Sequence, residues 1–344
     1  MQATYNKHLL EFKRPSGTSR GILTTKETWF IIITSGEKVG VGECGLLRFL
    51  SIDDTPDYEA KLAWVCKNIS LGSKILWEQL IDFPSIQFGV EMAFRSLEAQ
   101  NPFLLHPSKF TEGVDAIPIN GLVWMGEKSF MKEQILDKIK NGFGCIKLKI
   151  GAIDFKSELD LLKFIRSQFS SKDIEIRVDA NGAFSASEAL TKLERLSQFD
   201  IHSIEQPIKQ GQVIEMAELC KKTPIPIALD EELIGVTGVT NKLKILQTID
   251  PQYIIFKPSL IGGYKGTQEW LDIAEQLNIG WWVTSALESN VGLNAISQWT
   301  YTKKSPLPQG LGTGGLYTNN FESPLEVKNG NILYNPKTSW GFNI

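Results

Sequence analysis

Histidine and cysteine are scarce in this chain, and each scarcity narrows the chemistry. Three histidines, His8, His106 and His202, occur among 344 residues, too few to build a multi-histidine zinc site. Of the four cysteines, Cys44, Cys66, Cys145 and Cys220, no two form a CxxC pair and no spacing suggests zinc. They read as buried or indifferent thiols of a reducing compartment. No apolar run reaches membrane-spanning length, and Met1 to Arg14 has no apolar core of the signal-peptide kind; a cytoplasmic location is the expectation. An excess of one charge is also missing. The 36 basic and 39 acidic residues leave a net charge of -3, with no basic stripe for nucleic acid and no acidic tail.

What is present is an ordinary globular composition, 42% hydrophobic and 22% charged, in a chain long enough for two domains or one barrel with additions. The first hundred residues mix strand and helix. Trp29 to Thr34 and Val39 to Cys44 read as hairpin partners, and Asp57 to Lys67 and Ile86 to Gln100 have helical periodicity. Pro84 marks the turn before the second helix and Ser85 is its expected cap. From about Ile117 the texture changes. Short apolar runs at 117–122, 145–150, 174–179, 203–205, 226–230, 253–257 and 281–285 alternate with amphipathic stretches at 128–141, 155–168, 186–196, 213–222, 267–277 and 292–301. Regular strand–helix alternation implies parallel strands joined by crossovers, and at least seven units favour a (β/α) barrel. The open-sheet alternative lacks its fingerprint, because no GxGxxG follows the first strand.

Five consecutive strands each end in a charge: Lys149, Asp179, Glu205, Asp230 and Lys257, each about 25–30 residues from the next, one repeat of the fold. In a barrel they meet at the C-terminal mouth. Three carboxylates converging without a cation repel one another. Oxygen-only ligation suits Mg²⁺ or Mn²⁺, so Asp179, Glu205 and Asp230 are the expected metal ligands. Alternation puts Lys147 and Lys149 on one face, and Arg177, Asp179 and Asn181 on another if that strand stays regular. Strands two and six lie opposite in an eight-strand ring, so Lys149 and Lys257 flank the metal. The cation and Lys147 both disfavour charge on Lys149, and a neutral Lys149 accepts a carbon-bound proton next to a carboxylate.

These pieces, Lys147-Leu148-Lys149, Asp179-Ala180-Asn181, Glu205-Gln206-Pro207, Asp230-Glu231 and Lys257-Pro258, resemble the enolase superfamily, in particular its muconate-lactonizing subgroup. The resemblance implies a modified (β/α)8-type barrel, (β/α)7β, over residues 116–315, an α+β capping domain over 1–115, and a segment 316–344 that returns to it. Gly40-Val41-Gly42-Glu43-Cys44 is similar to the family's G-x-G-E hairpin, and Ser16 to Gly21 sits where the family places a substrate-covering loop. Within the subgroup, Ser285-Ala286-Leu287-Glu288-Ser289 and Gly310-Leu311-Gly312-Thr313 are similar to the o-succinylbenzoate synthase family. Dipeptide epimerases of the subgroup usually carry an Asp-x-Asp pair near the position of Gly312-Thr313-Gly314, which disfavours an amino-acid substrate.

The implied reaction is a magnesium-dependent dehydration yielding o-succinylbenzoate, with an N-acylamino acid racemase or dipeptide epimerase as the alternative. The implied catalytic lysines are Lys149, the base, and Lys257, which stays charged and stabilises the enediolate in the dehydration and is a second base in the alternative. Lys147, Asn181, Ser285, Leu287, Glu288, Gly312, Thr313 and Arg20 are the implied substrate contacts, and Arg177 either joins them or neutralises neighbouring carboxylates. Glu231 and Glu232 read as a solvated loop pair, and Trp281-Trp282 as barrel core. The expected partner is a small-molecule carboxylate, not nucleic acid or membrane.

Overall fold

A computed structural model describes residues 1–18 and 21–343 of the chain. An antiparallel sheet comes first: β1 (Gln2–Thr18), β2 (Gly21–Ser35) and β3 (Lys38–Cys44), with β2 in the middle. Three helices follow, α1 (Tyr58–Lys67), α2 (Gly72–Glu78) and α3 (Pro84–Glu98). The glycines of the G-x-G-E hairpin have a steric cause. The backbone of α3 lies directly on β3, and a Cβ on Gly40 or Gly42 would stand 2.2 Å from the Ala93 oxygen or 1.9 Å from the Gly89 oxygen. Trp29, Ile31 and Ile33 on β2 pack on α1 and α3 residues such as Leu62, Val65 and Val90, forming a core of their own.

Alternation of strand and helix then runs through β4 (Ile117–Pro118), β5 (Gly121–Val123), α4 (Lys128–Lys140), β6 (Cys145–Lys149), α5 (Phe155–Gln168), β7 (Glu175–Asp179), α6 (Ala186–Leu196), β8 (Ser203–Glu205), α7 (Val213–Lys222), β9 (Ile227–Leu229), α8 (Val239–Ile249), β10 (Tyr253–Phe256), α9 (Gly263–Leu277), β11 (Gly280–Val283) and α10 (Asn290–Thr302). Strands β5 to β11 pair in parallel in chain order. Gln309 and Gly310 then bridge Ile119 on one side and Thr284 on the other, both in parallel. That bridge closes the curled sheet into the (β/α)7β barrel that the alternation implies. Leu148, Val178, Ile204, Leu229 and Ile254 point outward into the helices and are buried there, which leaves the charged residues of each strand facing inward.

Several local expectations are corrected. The first barrel strand is split into β4 and β5. Helix α8, unread in the sequence, completes the fifth unit. The long β1 was also hidden, because its charged, unalternating sequence reads as a polar terminus; its partner β2 supplies the pairing. Ser85 lies inside α3 and does not cap it. Its backbone N–H and hydroxyl both donate to Asp53 Oδ2, at 2.9 and 2.6 Å. The tail divides: Leu316 to Asn319 lies along β1, whereas the hairpin β12 (Leu325–Lys328) and β13 (Asn331–Tyr334) pairs with β4 at the N-terminal end of the barrel.

Candidate active site

At the C-terminal ends of the barrel strands a cavity of about 180 Å³ opens beneath the N-terminal sheet, the scale of a small molecule and not of a polymer. Lys147, Lys149, Asn181, Lys257, Ser285, Leu287, Gly312 and Thr313 line it. Asp179, Glu205 and Asp230 lie under its floor, each no more than 2% exposed. Lysine ammoniums reach down to these acids. Lys149 Nζ donates to Asp179 Oδ2 at 2.9 Å and to Asn181 Oδ1 at 2.7 Å. Lys147 bridges Asp179 and Glu205, and Lys257 donates to Asp230.

The acids do not share one electrostatic fate. Burial alone raises the Asp179 carboxyl, but Lys147 and Lys149 carry it well below the usual range. Burial is likewise outweighed at Asp230, by Lys257 first, and its carboxyl is lowered. At Glu205 burial and the charge of Asp179 win, and the carboxyl is pushed well above its ordinary value. For Lys147 and Lys257 desolvation is overcome by the acids, and both are raised.

The floor is therefore short of positive charge at Glu205, whose Oε1 is buried with no hydrogen-bond partner. A hard divalent cation fits this donor set: three buried carboxylates on adjacent strand ends, one with an unmet oxygen. As the side chains stand, no three histidine, cysteine or acidic groups among the described residues form a ready cage for an ion; the Lys147 ammonium spans Asp179 and Glu205 instead.

Strand ends are held by residues that the sequence reading passed over. Gln206, at φ +39, ties its own loop to the neighbouring strand end: Oε1 accepts from Asp230 and Glu232 N–H, and Nε2 donates to Glu232 Oε2 and to the Ile208 carbonyl two residues on. Glu231 and Glu232, expected in solvent, are 1% and 5% exposed. Glu231 accepts from Asn181 Nδ2 at 3.0 Å. Strand β7 ends at Asp179, and Asn181 reaches the cavity through a left-handed turn, φ +44, not by continued alternation.

Two expected substrate contacts lie elsewhere. Arg177 points into the barrel one layer below the cavity. Its Nε donates to Glu175 at 2.7 Å, its Nη1 to the Pro308 carbonyl at 2.9 Å, and its guanidinium lies 4.2 Å from the Trp282 ring. Glu288 sits behind the wall, where its carboxylate accepts from Ser259 and Ser285 hydroxyls. Arg20 lies outside the described residues. In its place the sequence reading missed Ile22, Leu23, Leu47 to Leu50, Asn120, Leu122 and Trp124, which also line the cavity. Ile22 and Leu23 start β2 and Leu122 is in β5, whereas Leu47 to Leu50, Asn120 and Trp124 are loop positions that no periodicity marks. The loop is held by Arg48, whose guanidinium pairs with Glu27 and Asp54 beside the turn at Phe49, φ +65.

Comparison with known proteins agrees with this geometry. The model of the family described as enolase C-terminal domain-like matches residues 131–344. The chain is 46% identical to an o-succinylbenzoate synthase of Desulfotalea psychrophila strain LSv54, over 96% of this chain and 98% of that one. The crystal structure of MenC from Desulfotalea psychrophila LSv54 superposes with a TM-score of 0.86 at 42% identity, covering 97% of this chain and 99% of the other. A dipeptide epimerase from Enterococcus faecalis V583, solved with Mg and the dipeptide L-Leu-L-Tyr, shares the fold at 18% identity, with a TM-score of 0.83 over 99% and 98% of the two chains. A family model spanning more than half of the sequence and a relative matched along almost its whole length give one answer: the chain belongs to the enolase superfamily.

Proposed function

We propose that the cavity removes water from 2-succinyl-6-hydroxy-2,4-cyclohexadiene-1-carboxylate to form o-succinylbenzoate. The observation that carries the reading is the 46% identity to an o-succinylbenzoate synthase along 96% of the chain; lysines lining one cavity above three buried acids support it. In this reading neutral Lys149 takes the proton α to the ring carboxylate. The C–H electron pair passes into an enediolate, and its return expels the ring hydroxyl. Protonated Lys149, on the same face, gives that proton to the departing oxygen, which leaves as water. One C–H and one C–O bond break, one ring double bond forms, and aromatisation drives the step.

Lys257 stays charged and stabilises the enediolate from the opposite side, over the forming ring. Lys147 binds the carboxylate. Asn181 orients Lys149, and Ser285, Leu287, Gly312 and Thr313 shape the wall around the succinyl arm. Asp179, Glu205 and Asp230 would hold Mg²⁺, or Mn²⁺, which when bound supplies positive charge for the enediolate oxygens. Residues 1–115 cap the site, 116–315 carry its chemistry and 316–344 tie the two together. We place the reaction in menaquinone biosynthesis, in the cytoplasm.

A direct ultraviolet assay tests the reading: with Mg²⁺, the purified protein converts the cyclohexadiene to the aromatic product, and chelator stops it. No conversion by folded, metal-loaded protein sinks it. A second reading, racemisation of an N-acylamino acid or epimerisation of a dipeptide, is favoured by Lys149 and Lys257 rising from opposite strands, β6 and the end of β10, around one cavity. It requires exchange of the α-hydrogen of N-succinyl amino acids in deuterated water, and loss of that exchange in Lys257→Ala.

A further inference from the structure

The G-x-G-E hairpin carries a glutamate that the proposed chemistry does not use. Glu43 stands near the end of β3, fully buried, and its carboxylate crosses from the N-terminal sheet to the start of α10 in the barrel. Oε1 accepts the Ser289 N–H at 2.9 Å, and Oε2 accepts the Gly292 N–H at 2.7 Å. Two hydroxyls complete the set, Thr28 Oγ1 on Oε1 at 2.8 Å and Ser289 Oγ on Oε2 at 2.5 Å. The two N–H directions are set by the peptide planes and not by a free rotor. Each carboxylate oxygen therefore faces one backbone donor of the other domain. There is little room to spare: a Cβ on Gly292 would stand 2.8 Å from Glu43 Oε2 and 2.8 Å from Glu288 Cβ.

Helix α10 needs such partners, because the first N–H groups of a helix have none inside it. Here each finds a different one. The Asn290 N–H goes to Asn320 Oδ1 at 2.9 Å, the Val291 N–H to Ser289 Oγ at 3.2 Å, and the Gly292 N–H to Glu43. The segment that leads into this helix is cavity wall: Ser285, Ala286 and Leu287 line the cavity, and Leu287 is two residues before Ser289. Leu287 stands at φ +65, a conformation a branched side chain holds only when its surroundings impose it. Its N–H goes to Ser285 Oγ at 3.0 Å, and its carbonyl accepts from the Tyr317 hydroxyl at 2.7 Å. Tyr317 in turn packs on Phe12 of β1, with ring centroids 4.7 Å apart. The wall is thus gripped from the N-terminal sheet at Ser289 and, through the tail, at Leu287.

We propose that Glu43 is a positioning residue: by holding the Ser289 and Gly292 N–H groups it sets where α10 begins and so keeps Leu287 in the cavity wall, which makes the N-terminal sheet a determinant of substrate binding. The inference rests on reading that cavity as the o-succinylbenzoate site. Glu43→Gln keeps the size of the side chain, but whichever way the amide lies, its NH2 faces one of the two backbone donors. Amides 287–292 then exchange with deuterated water about tenfold faster or more, while those of α3 keep their wild-type protection. The Kd for o-succinylbenzoate and KM each rise about tenfold, with kcat within about threefold. Mg²⁺ affinity by calorimetry stays that of the wild type.

Wild-type protection at Ser289 and Gly292, or product affinity equal to the wild type, overturns the proposal. So does protection lost equally in α3 and α10, which is general loosening and not a local grip. Where Glu43→Gln does not accumulate as folded protein, Gly292→Ala decides. Alanine favours the helix itself, yet its methyl group takes the space of Glu43 Oε2. Faster exchange at Ser289 and weaker product binding are expected together, and a wild-type value of either overturns the proposal. A wild-type protein that neither binds nor forms o-succinylbenzoate defeats the proposed function instead, and the exchange at Ser289 and Gly292 still judges the grip of Glu43 on α10.

Discussion

Asp179 and Arg177 stand two residues apart on β7, face the same barrel interior and are equally hidden, at 0% and 1% exposure. They belong to different regions of the molecule. Asp179 is in the upper layer, where its partners Lys147 and Lys149 are themselves cavity-lining groups. Arg177 is in the lower layer, spent on Glu175, the Pro308 carbonyl and the face of Trp282. Charge inside a barrel is thus no mark of function by itself. What distinguishes the upper layer is that its charges are paired with one another beside open space, so an incoming carboxylate or cation can exchange for those pairings. The lower layer is closed, and its charge serves packing.

The contrast yields ordered expectations. Lys149→Ala, in the upper layer, lowers kcat for aromatisation by about 10³-fold, the scale of a lost general base, with Mg²⁺ binding retained. A rate within tenfold of the wild type would remove Lys149 from the chemistry. Glu205→Gln takes away the carboxyl with the unmet oxygen and weakens Mg²⁺, measured by calorimetry, by roughly 100-fold. Unchanged affinity would move the ion elsewhere.

Arg177→Met acts in the opposite sense. It lowers stability in urea by roughly 1–3 kcal/mol through the lost hydrogen bonds and stacking, yet leaves KM and kcat within about threefold. A large fall in kcat with normal stability would merge the two layers. The smallest effect belongs to His202, which stacks near Tyr253 in the lower layer, with ring centroids 5.0 Å apart. Burial holds its imidazole below the ordinary 6.5. The unfolded chain therefore takes up that proton first as pH falls below 6.5, so this contribution to stability is present above that pH and is lost below it. His202→Gln flattens the dependence of the unfolding free energy on pH, by less than about 1 kcal/mol across the window, as urea titrations at several pH values measure, and leaves the activity profile unmoved.

Much of the barrel was legible because its signal is local. Apolar runs such as Cys145 to Ile150 and amphipathic stretches such as Phe155 to Gln168 have the periods of strand and helix, and their alternation implies the ring. Helix α8 escaped because Val239 to Ile249 mixes β-branched and polar residues directly after two turn-forming glycines, Gly235 and Gly238. At the site, a strand-end charge at each repeat could be read directly. The loop at Leu47 to Leu50 could not, since its place over the cavity follows from the pairing of Arg48 with Glu27 and Asp54, residues of no common period.

By itself the sequence determined which side chains share a strand face and how far apart along the chain the charged ends recur, because pleat and helical pitch are properties of the local backbone. Only the tertiary structure decided depth: that Asp179 lies under the cavity floor and Arg177 a layer deeper, and that Glu288 stands behind the wall and not in it. Depth depends on strand stagger, on where each strand ends and on what packs across the ring, and these are set by contacts between residues far apart in the chain.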